Sequence, residues 1–553
     1  MQDLVRCQGD QPPRRARLPG RAHAYRVPVR VLSLPWLVGA LGARLLSEPD
    51  RIRLRFRGGR HAKPSSAAAR IDRAVALDDL EVAEELLTLV PSGDPQYSSL
   101  SAAVLLLAGH ITAAEAQASA ARDGRARAQR VLRRARELRQ ESASPVPLPG
   151  SPSPRRAPSP PGSSRRVLHV VKNSLPQTQA GYTLRTQAVL RAQSAAGLDV
   201  RAVTRLGFPV AQGHLADRVD VVDGIAYHRL LAMRGTDVAE YGRRLTSFAR
   251  SQRIEVIHAA TDHVNGHAAM AACSSLGLPF VYEVRGFLED SWACRHGGDS
   301  RASATDRYRW ARARETEAML AADAIVTLSR SMAADIAERG VPADRIWLVP
   351  NGVDDAYLAA PRDQSSARSL LGLPDDRMWV GAVTTIHEYE GLGTLLEAVA
   401  IARRAGADVG AVIVGDGPAL RRLKASAPDD GTVRWVGRVP GRSSIDWYDA
   451  LDAVVVPRED HRVTRLVTPL KPVEALARAR LVIASDLPAL REATGEYARF
   501  VPPGDASALA EELALVDHHR DLGTAGREWV QAERRWSQVC SAYDDAYAAA
   551  SDR

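Results

Sequence analysis

From residue 166 onward, apolar residues come in short unbroken runs separated by longer stretches with helical spacing. A first series reads RVLHVVKN (166–173), DVRAVTR (199–205), IEVIHAA (254–260), PFVYEVRG (279–286) and ADAIVTLS (322–329). A second reads WVGAVTT (379–385), VGAVIVGDG (409–417), VRWVGRV (433–439), DAVVVPR (452–458), LVIASD (481–486) and YARFVPP (497–503). Runs of this length, rich in Val and Ile and bounded by turn residues, predict strands buried on both faces. Helices of about a dozen residues between them imply parallel sheets joined by right-handed crossovers. Two series in tandem predict an α/β chain with two Rossmann-like domains, residues 166–355 and 356–553, the second ending in helices. Ligands then belong at the strands' carboxyl ends, in a cleft that loops from both domains face.

Upstream the pattern changes. Between 65 and 140, apolar positions recur every three and four residues, as in AARIDRAVALDDLEVAEELLTLV and GRARAQRVLRRARELRQ, with Pro91, Gly93 and Gly109 as breaks. That spacing predicts helical hairpins, with no clear repeat period. The Pro, Ser and Gly content of 141–165, ESASPVPLPGSPSPRRAPSPPGSSR, predicts a disordered linker. Residues 1–64 read as a basic, largely disordered arm whose arginines crowd positions 12–60. Within the arm, VLSLPWLVGALGARLL (31–46) has two readings, a core helix or an amphipathic helix lying in a membrane interface with Trp36 as anchor.

Composition narrows the class. A hydrophobic fraction of 45% and a charged fraction of 25% over 553 residues are those of a globular protein with a sizeable core. The formal charge of +9 comes largely from the Arg-rich segments. These read first as solvated tails and second as a peripheral contact with an anionic membrane; no nucleic-acid partner is expected. No apolar run reaches the ~18–20 residues of a membrane span. Cys7, Cys273, Cys294 and Cys540 are scattered with no CxxC pair, which fits a reducing, cytoplasmic setting, at the inner face of the membrane if the arm docks there.

Chemistry concentrates in VTRLVTPLKPVEALARARLVIASD (463–486). Pro469 and Pro472 suit a first helical turn, where a missing N–H costs nothing. Lys471 beside open backbone donors suits an anion, and Glu474 one turn on suits hydroxyls, so the implied ligand carries a negative group and a sugar-like diol. The alternative is a solvated helix start. Gly181, after the first run, lets backbone approach a ligand ahead of a helix that carries Tyr182 and Arg185. Glu283 and Arg285 end an apolar strand, the usual place for functional side chains, or form a structural ion pair. Asn351 and Gly352 fit a tight turn leaving the first domain. VGDGP (414–418) lacks the full GxGxxG spacing, so Gly415 and Gly417 either line a ligand or serve only the turn.

VLHVVKNSLPQTQAGYTLRT, VIHAATDHVNGHAA, VYEVRGFLED, ADAIVTLSRSMAADI, WLVPNGVD, VIVGDGPAL, VGRVP and TPLKPVEALA stand in a recognisable order. The chain from about 166 to 550 thereby resembles glycosyltransferases of the family 4 type, with the GT-B arrangement of two Rossmann-like domains, and residues 1–165 share none of it. The resemblance implies transfer of a sugar from a nucleotide diphosphate-sugar to an acceptor, with retention and with no metal or other cofactor. DRVDVVDG (217–224) is accordingly not read as a metal motif. It also implies diphosphate at Pro469, Leu470 and Lys471, ribose on Glu474, and the base in a slot formed by the Gly415–Gly417 loop and the backbone of Arg438 and Val439. Gly181, Glu283, Arg285, Asn351, Gly352 and Arg458 complete the donor set, and Tyr182 and Arg185 face the acceptor.

Three positions depart from the family pattern. A second glutamate is replaced by Leu466. The diphosphate-neutralising Arg and Lys correspond to Ala382 and about Glu390, leaving Lys471 with Arg458, Arg462 or Arg465 as substitutes. The family's HAH reads HAA: His258 is kept, Ala260 stands for the second histidine, and His263 lies three residues on. His258, His263 and Lys471 are therefore the catalytic candidates. The expected acceptor is a glycan or lipid-linked acceptor of the cell envelope. Two other readings are a sugar-nucleotide-binding scaffold and a nucleotide-sugar epimerase, whose several carboxylates are not evident here.

Overall fold

A computed structural model describes residues 66–143, 154, 165–232 and 237–553. The basic arm, its 31–46 stretch and nearly all of the linker lie outside the described residues; the linker's first three positions continue the helix Arg125–Ala143.

The first lobe is built on eight strands in the order β3-β4-β2-β1-β5-β6-β7-β8. They are β1 Arg166–Val171, β2 Asp199–Thr204, β3 Val219–Val222, β4 Ile225–Arg229, β5 Val256–Ala260, β6 Phe280–Val284, β7 Ala324–Thr327 and β8 Ile346–Leu348. All pair in parallel except β3 with β4. The second lobe holds six parallel strands in the order β11-β10-β9-β12-β13-β14. These are β9 Met378–Val383, β10 Val409–Val414, β11 Val433–Gly437, β12 Ala453–Val456, β13 Leu481–Ser485 and β14 Ala498–Val501. Every residue of β5, β6, β10 and β13 is buried, as strands covered by helices on both faces require. The β3–β4 hairpin is absent from the expected strand series. It turns on Asp223 and Gly224, both at positive φ (46° and 81°), the Asp-Gly chemistry of a tight hairpin.

Two chain crossings join the lobes side by side. Val353 N donates to Arg534 O at 2.8 Å, and a Cβ on Gly352 would stand 2.9 Å from Arg534 O and 3.0 Å from the Trp536 ring. After the return crossing, the helix Ala542–Ser551 buries Tyr543 and Tyr547 completely among Val167, Val256, Val281 and Val326. The helix Ala542–Ser551 therefore completes the first lobe's core, whereas the expected boundary assigned all of 356–553 to the second. Two tyrosines that bury fully on one sheet decide the matter.

Upstream, five helices span Ala67–Ala76, Leu80–Thr88, Tyr97–Leu107, Ile111–Ala120 and Arg125–Ala143. Ser66 and Asp79 cap the first two by accepting backbone N–H groups. The helices close around Ile71, Leu80, Leu86, Leu100 and Leu107, with a second cluster of Ala102, Ala114, Ala118, Ala128 and Val131. Among the described residues, no helix is long and apolar enough to cross a membrane.

Candidate functional site

The carboxyl ends of the two parallel sheets face each other, and loops meet across the gap. Gln179 Nε2, in the loop after β1, donates to Val439 O at 3.4 Å. A Cβ on Gly181 would lie 3.9 Å from Leu470 Cδ1, and one on Gly286 would lie 3.7 Å from Val467 Cγ2. Ser329 Oγ donates to Leu466 O at 3.1 Å, and Asn351 Nδ2 to Thr468 O at 3.0 Å. Gly181, Val439, Leu470 and Asn351 are thus brought to one interlobe seam.

On the second-lobe side, the helix Lys471–Ala477 opens with Lys471 and Pro472. Lys471 Nζ lies 2.9 Å from Glu474 Oε2, and Tyr448 Oη donates to the same oxygen at 2.9 Å. Among the described residues, Oε1 of Glu474 receives no hydrogen bond, so one carboxylate oxygen is held and the other is not. Tyr448 is not among the expected residues; it precedes the site by a whole βα unit, and no local pattern marks it. The Lys471 side chain keeps 26% of its surface exposed while Glu474 keeps 8%. The lysine therefore reaches solvent beside a buried acid.

The departures noted in the sequence acquire a physical form. Arg458 Nη2 pairs with Glu390 at 2.9 Å, and Arg458 Nη1 donates to Val467 O. The acid that stands where the resemblance calls for a lysine is neutralised by this buried arginine, so Arg458 does not offer an open charge to a diphosphate. Arg462 pairs with Asp290 and Asp335, and Arg465 with Asp460. None of the three suggested substitutes is unpaired. Arg438 is exposed and has no ion pair among the described residues, and its neighbour Val439 lies against Gln179. Gly415 (φ +145°) and Gly417 are fixed by packing: a Cβ on the first would run into Thr384 O, and one on the second into Ile386 O. These glycines let the loops after β9 and β10 lie backbone against backbone, which answers for them without a ligand.

Several first-lobe residues take up different roles from those expected. His258 is fully buried, with Nδ1 2.7 Å from Tyr547 Oη, Nε2 3.2 Å from Glu283 Oε2, and its ring 4.4 Å from that of His169. Burial pushes its pKa down, outweighing the neighbouring Glu283. It is a core histidine and not a group that meets a transferred sugar. Glu283 is fully buried between two arginines: Arg185 Nη2 at 2.9 Å from Oε1 and Arg285 Nη2 at 2.5 Å from Oε2. Burial opposes its ionisation, but Arg285 and Arg185 hold its carboxyl well below the usual range. Arg185 also donates to Val349 O and to Asn351 Oδ1, and Arg285 to Thr186 Oγ1 and Tyr182 O. The Arg285 guanidinium stacks 4.8 Å from the Tyr182 ring centre. Glu283, Arg285, Arg185 and Tyr182 thus form a buried network that braces the first crossing, the ion-pair alternative. Asn351 links that network to Thr468, and Gly352 makes room for Trp536.

His263 is placed differently. It is the first residue of the helix His263–Leu276, just beyond β5, capped by Asp262, which accepts Val264 N. Its Nδ1 lies 3.6 Å from Glu315 Oε1, with the side chain 27% exposed. Burial lowers its pKa, but Glu315 and Asp262 together raise it above the ordinary value. Asp262 in turn pairs with Arg205 and lies 3.5 Å from Lys172 Nζ.

Two family models match the chain: Glycosyltransferase Family 4 over residues 181–357 and Glycosyl transferases group 1 over 377–516. A 2-deoxystreptamine glucosyltransferase of Streptomyces kanamyceticus is 29% identical over 231 residues, covering 40% of this chain and 58% of that protein. The lipopolysaccharide core biosynthesis mannosyltransferase LpsB of Rhizobium meliloti is 29% identical over 214 residues, covering 36% of this chain and 59% of its own. The chain thus spans a little over half the length of these curated relatives. Among solved structures, the sucrose-phosphate synthase of Thermosynechococcus elongatus superposes with a TM-score of 0.58 at 21% identity, over 69% of this chain and 98% of that one. That likeness shows a shared fold.

Proposed function

The chain belongs to the glycosyltransferases of the family 4 type with the GT-B fold, and on that premise we propose that it moves a sugar from a nucleotide diphosphate-sugar to an acceptor with retention. The observation that carries this reading is the pair at the start of the helix Lys471–Ala477, facing the seam between lobes. Lys471 lies beside open backbone donors, and Glu474 has one oxygen held by Lys471 and Tyr448 and the other unoccupied by protein. A diphosphate at the helix start exchanges its hydration for Lys471 and N–H groups, and a ribose hydroxyl donates to Glu474 Oε1. As the bond from sugar to diphosphate lengthens, negative charge grows on the departing phosphate and positive charge on the sugar ring. A fixed cation and fixed dipoles stabilise that separation without reorganising. Contacts across the seam exclude water that would otherwise take the sugar. In this reading His263, three residues beyond β5, is the histidine that meets the sugar, and the mechanism calls on no metal or other cofactor.

The acceptor we propose is a glycan or lipid-linked acceptor of the cell envelope; the LpsB relative, by its name, acts in lipopolysaccharide core assembly. Contact with the inner face of a membrane through the basic arm belongs to the same proposal. The second reading, a sugar-nucleotide-binding protein without transfer, draws on Ala260 and on the engagement of Arg458 by Glu390. A screen of UDP- and GDP-sugars, with thermal stabilisation and release of nucleoside diphosphate both measured, separates them. Release with an acceptor supports transfer, stabilisation without release supports the scaffold, and neither response to any donor overturns both.

A further inference from the structure

The segment from Leu288 to Arg307 lies between two bodies that do not otherwise share the seam. On one side it meets the upstream helices. A Cβ on Gly109 (φ +89°) would run into the Trp292 indole, which is buried, and the Arg307 guanidinium covers that indole at 4.9 Å. Arg307 N donates to Gly109 O at 3.1 Å, and Thr112 N to Asp306 Oδ2 at 2.8 Å. Asp78 takes Arg295 Nη1 and His296 Nε2, each at 3.2 Å, and Glu84 pairs with Arg301.

On the other side the same segment meets the second lobe. Arg462 N donates to Asp299 Oδ2 at 2.6 Å, and Arg462 Nε lies 3.2 Å from Asp290 Oδ2. Asp290 is held in turn by Tyr308 Oη at 2.6 Å. Trp292 and His296 therefore face the upstream helices while Asp290 and Asp299, on the same short stretch, receive Arg462. Arg462 opens the helix Arg462–Leu466, which runs directly into Val467 at the seam and so toward Lys471.

We propose that residues 67–143 are a positioning module: by fixing 288–307 they hold the dock that Arg462 needs, and so set how the second lobe closes on the first. The inference rests on the reading of a two-lobed transferase that works closed. A buried tryptophan against glycine is a contact that a rigid dock requires and that a flexible surface loop does not make. Asp78, Glu84 and Gly109 touch no part of the proposed ligand site, and act through the segment they hold.

The test is amide hydrogen exchange on the full chain, comparing the natural protein with Asp78→Arg/Glu84→Arg, which sets arginine against Arg295 and Arg301. Exchange is expected to rise about tenfold or more both at 288–303 and, across the seam, at 459–466, while β12 and β13 keep their protection. Gly109→Val, which drives a side chain into Trp292, is expected to give the same pattern. Arg462→Gln should loosen 459–466 and leave 67–143 protected, and Asp78→Glu, which keeps the charge, should leave the natural pattern unchanged. Loosening confined to 288–303, or no change at 459–466 in either module variant, overturns the proposal. Loss of protection throughout both sheets does so too, because it makes the helices a folding requirement of the whole chain. Donor turnover is not part of this readout, so a chain that proves inactive as a transferase leaves the exchange result standing.

Discussion

Single residues decide what the seam can do. Lys471 and Glu474 are legible from a lysine and a glutamate three apart at a proline-marked helix start, because that pattern is local. Tyr448, which fixes one Glu474 oxygen, is not, because the contact closes over 26 residues of chain. His258 misleads for the same reason: its partners are Glu283 and Tyr547, the latter 289 residues away, and only the fold shows that burial. Lys471→Ala is expected to lower turnover by about 10²- to 10³-fold, with a change in melting temperature of only a few degrees, since the side chain is part exposed. Equal melting and unchanged diphosphate release would remove Lys471 from the chemistry. His263 carries a pH signature. Its folded pKa is raised above the ordinary value, so the stability it contributes is fully present below about pH 6.5 and lost as pH rises through the raised value. The melting difference between the natural protein and His263→Ala should accordingly be largest below about pH 6.5 and shrink as pH rises above it.

Elements explain why the strand pattern is easy to read and the loops are not. Val/Ile runs such as VGAVIV (409–414) are buried on both faces, so their residues record a single demand. Glycines in the loops after β9 and β10 fit either a packing or a ligand demand when read from sequence alone, so the pattern there does not separate the two. Gly415 and Gly417 fit the packing demand, with carbonyls of 384 and 386 where a Cβ would stand. Gly415→Ala is expected to cost more than about 2 kcal/mol, read as a lowered urea midpoint, because φ is also positive there. An unchanged midpoint would mean that the two loops separate freely. The β3–β4 hairpin has a readable signal in Asp223-Gly224 after the alternating stretch Val219–Val222, which is only four residues long and so is easily passed over.

At the scale of the molecule, the two tandem strand series translate into two lobes, while the order in which the chain builds them departs from a simple split. The first lobe takes its last helix from residues 542–551, far beyond the strands it covers, and no periodicity in a short Ala/Tyr-rich helix announces which sheet it will choose. Removing residues 536–553 should therefore unfold the first lobe and spare the second. Limited proteolysis is expected to cut between 166 and 348 while leaving 378–501 intact, and protection of both lobes in the truncated chain would refute this.

That closing helix has a consequence on the ribosome. As synthesis proceeds, the first sheet emerges hundreds of residues before Tyr543 and Tyr547, so His258 and Glu283 wait without their hydroxyl partners until those two tyrosines have been made. The second lobe can reach its native state while the first is still an open, sticky intermediate, reversing the usual amino-to-carboxyl order of domain folding. The nascent chain then needs either chaperone shelter or rapid synthesis of the closing helix, and pauses placed between the first sheet and Tyr543 would be the most harmful.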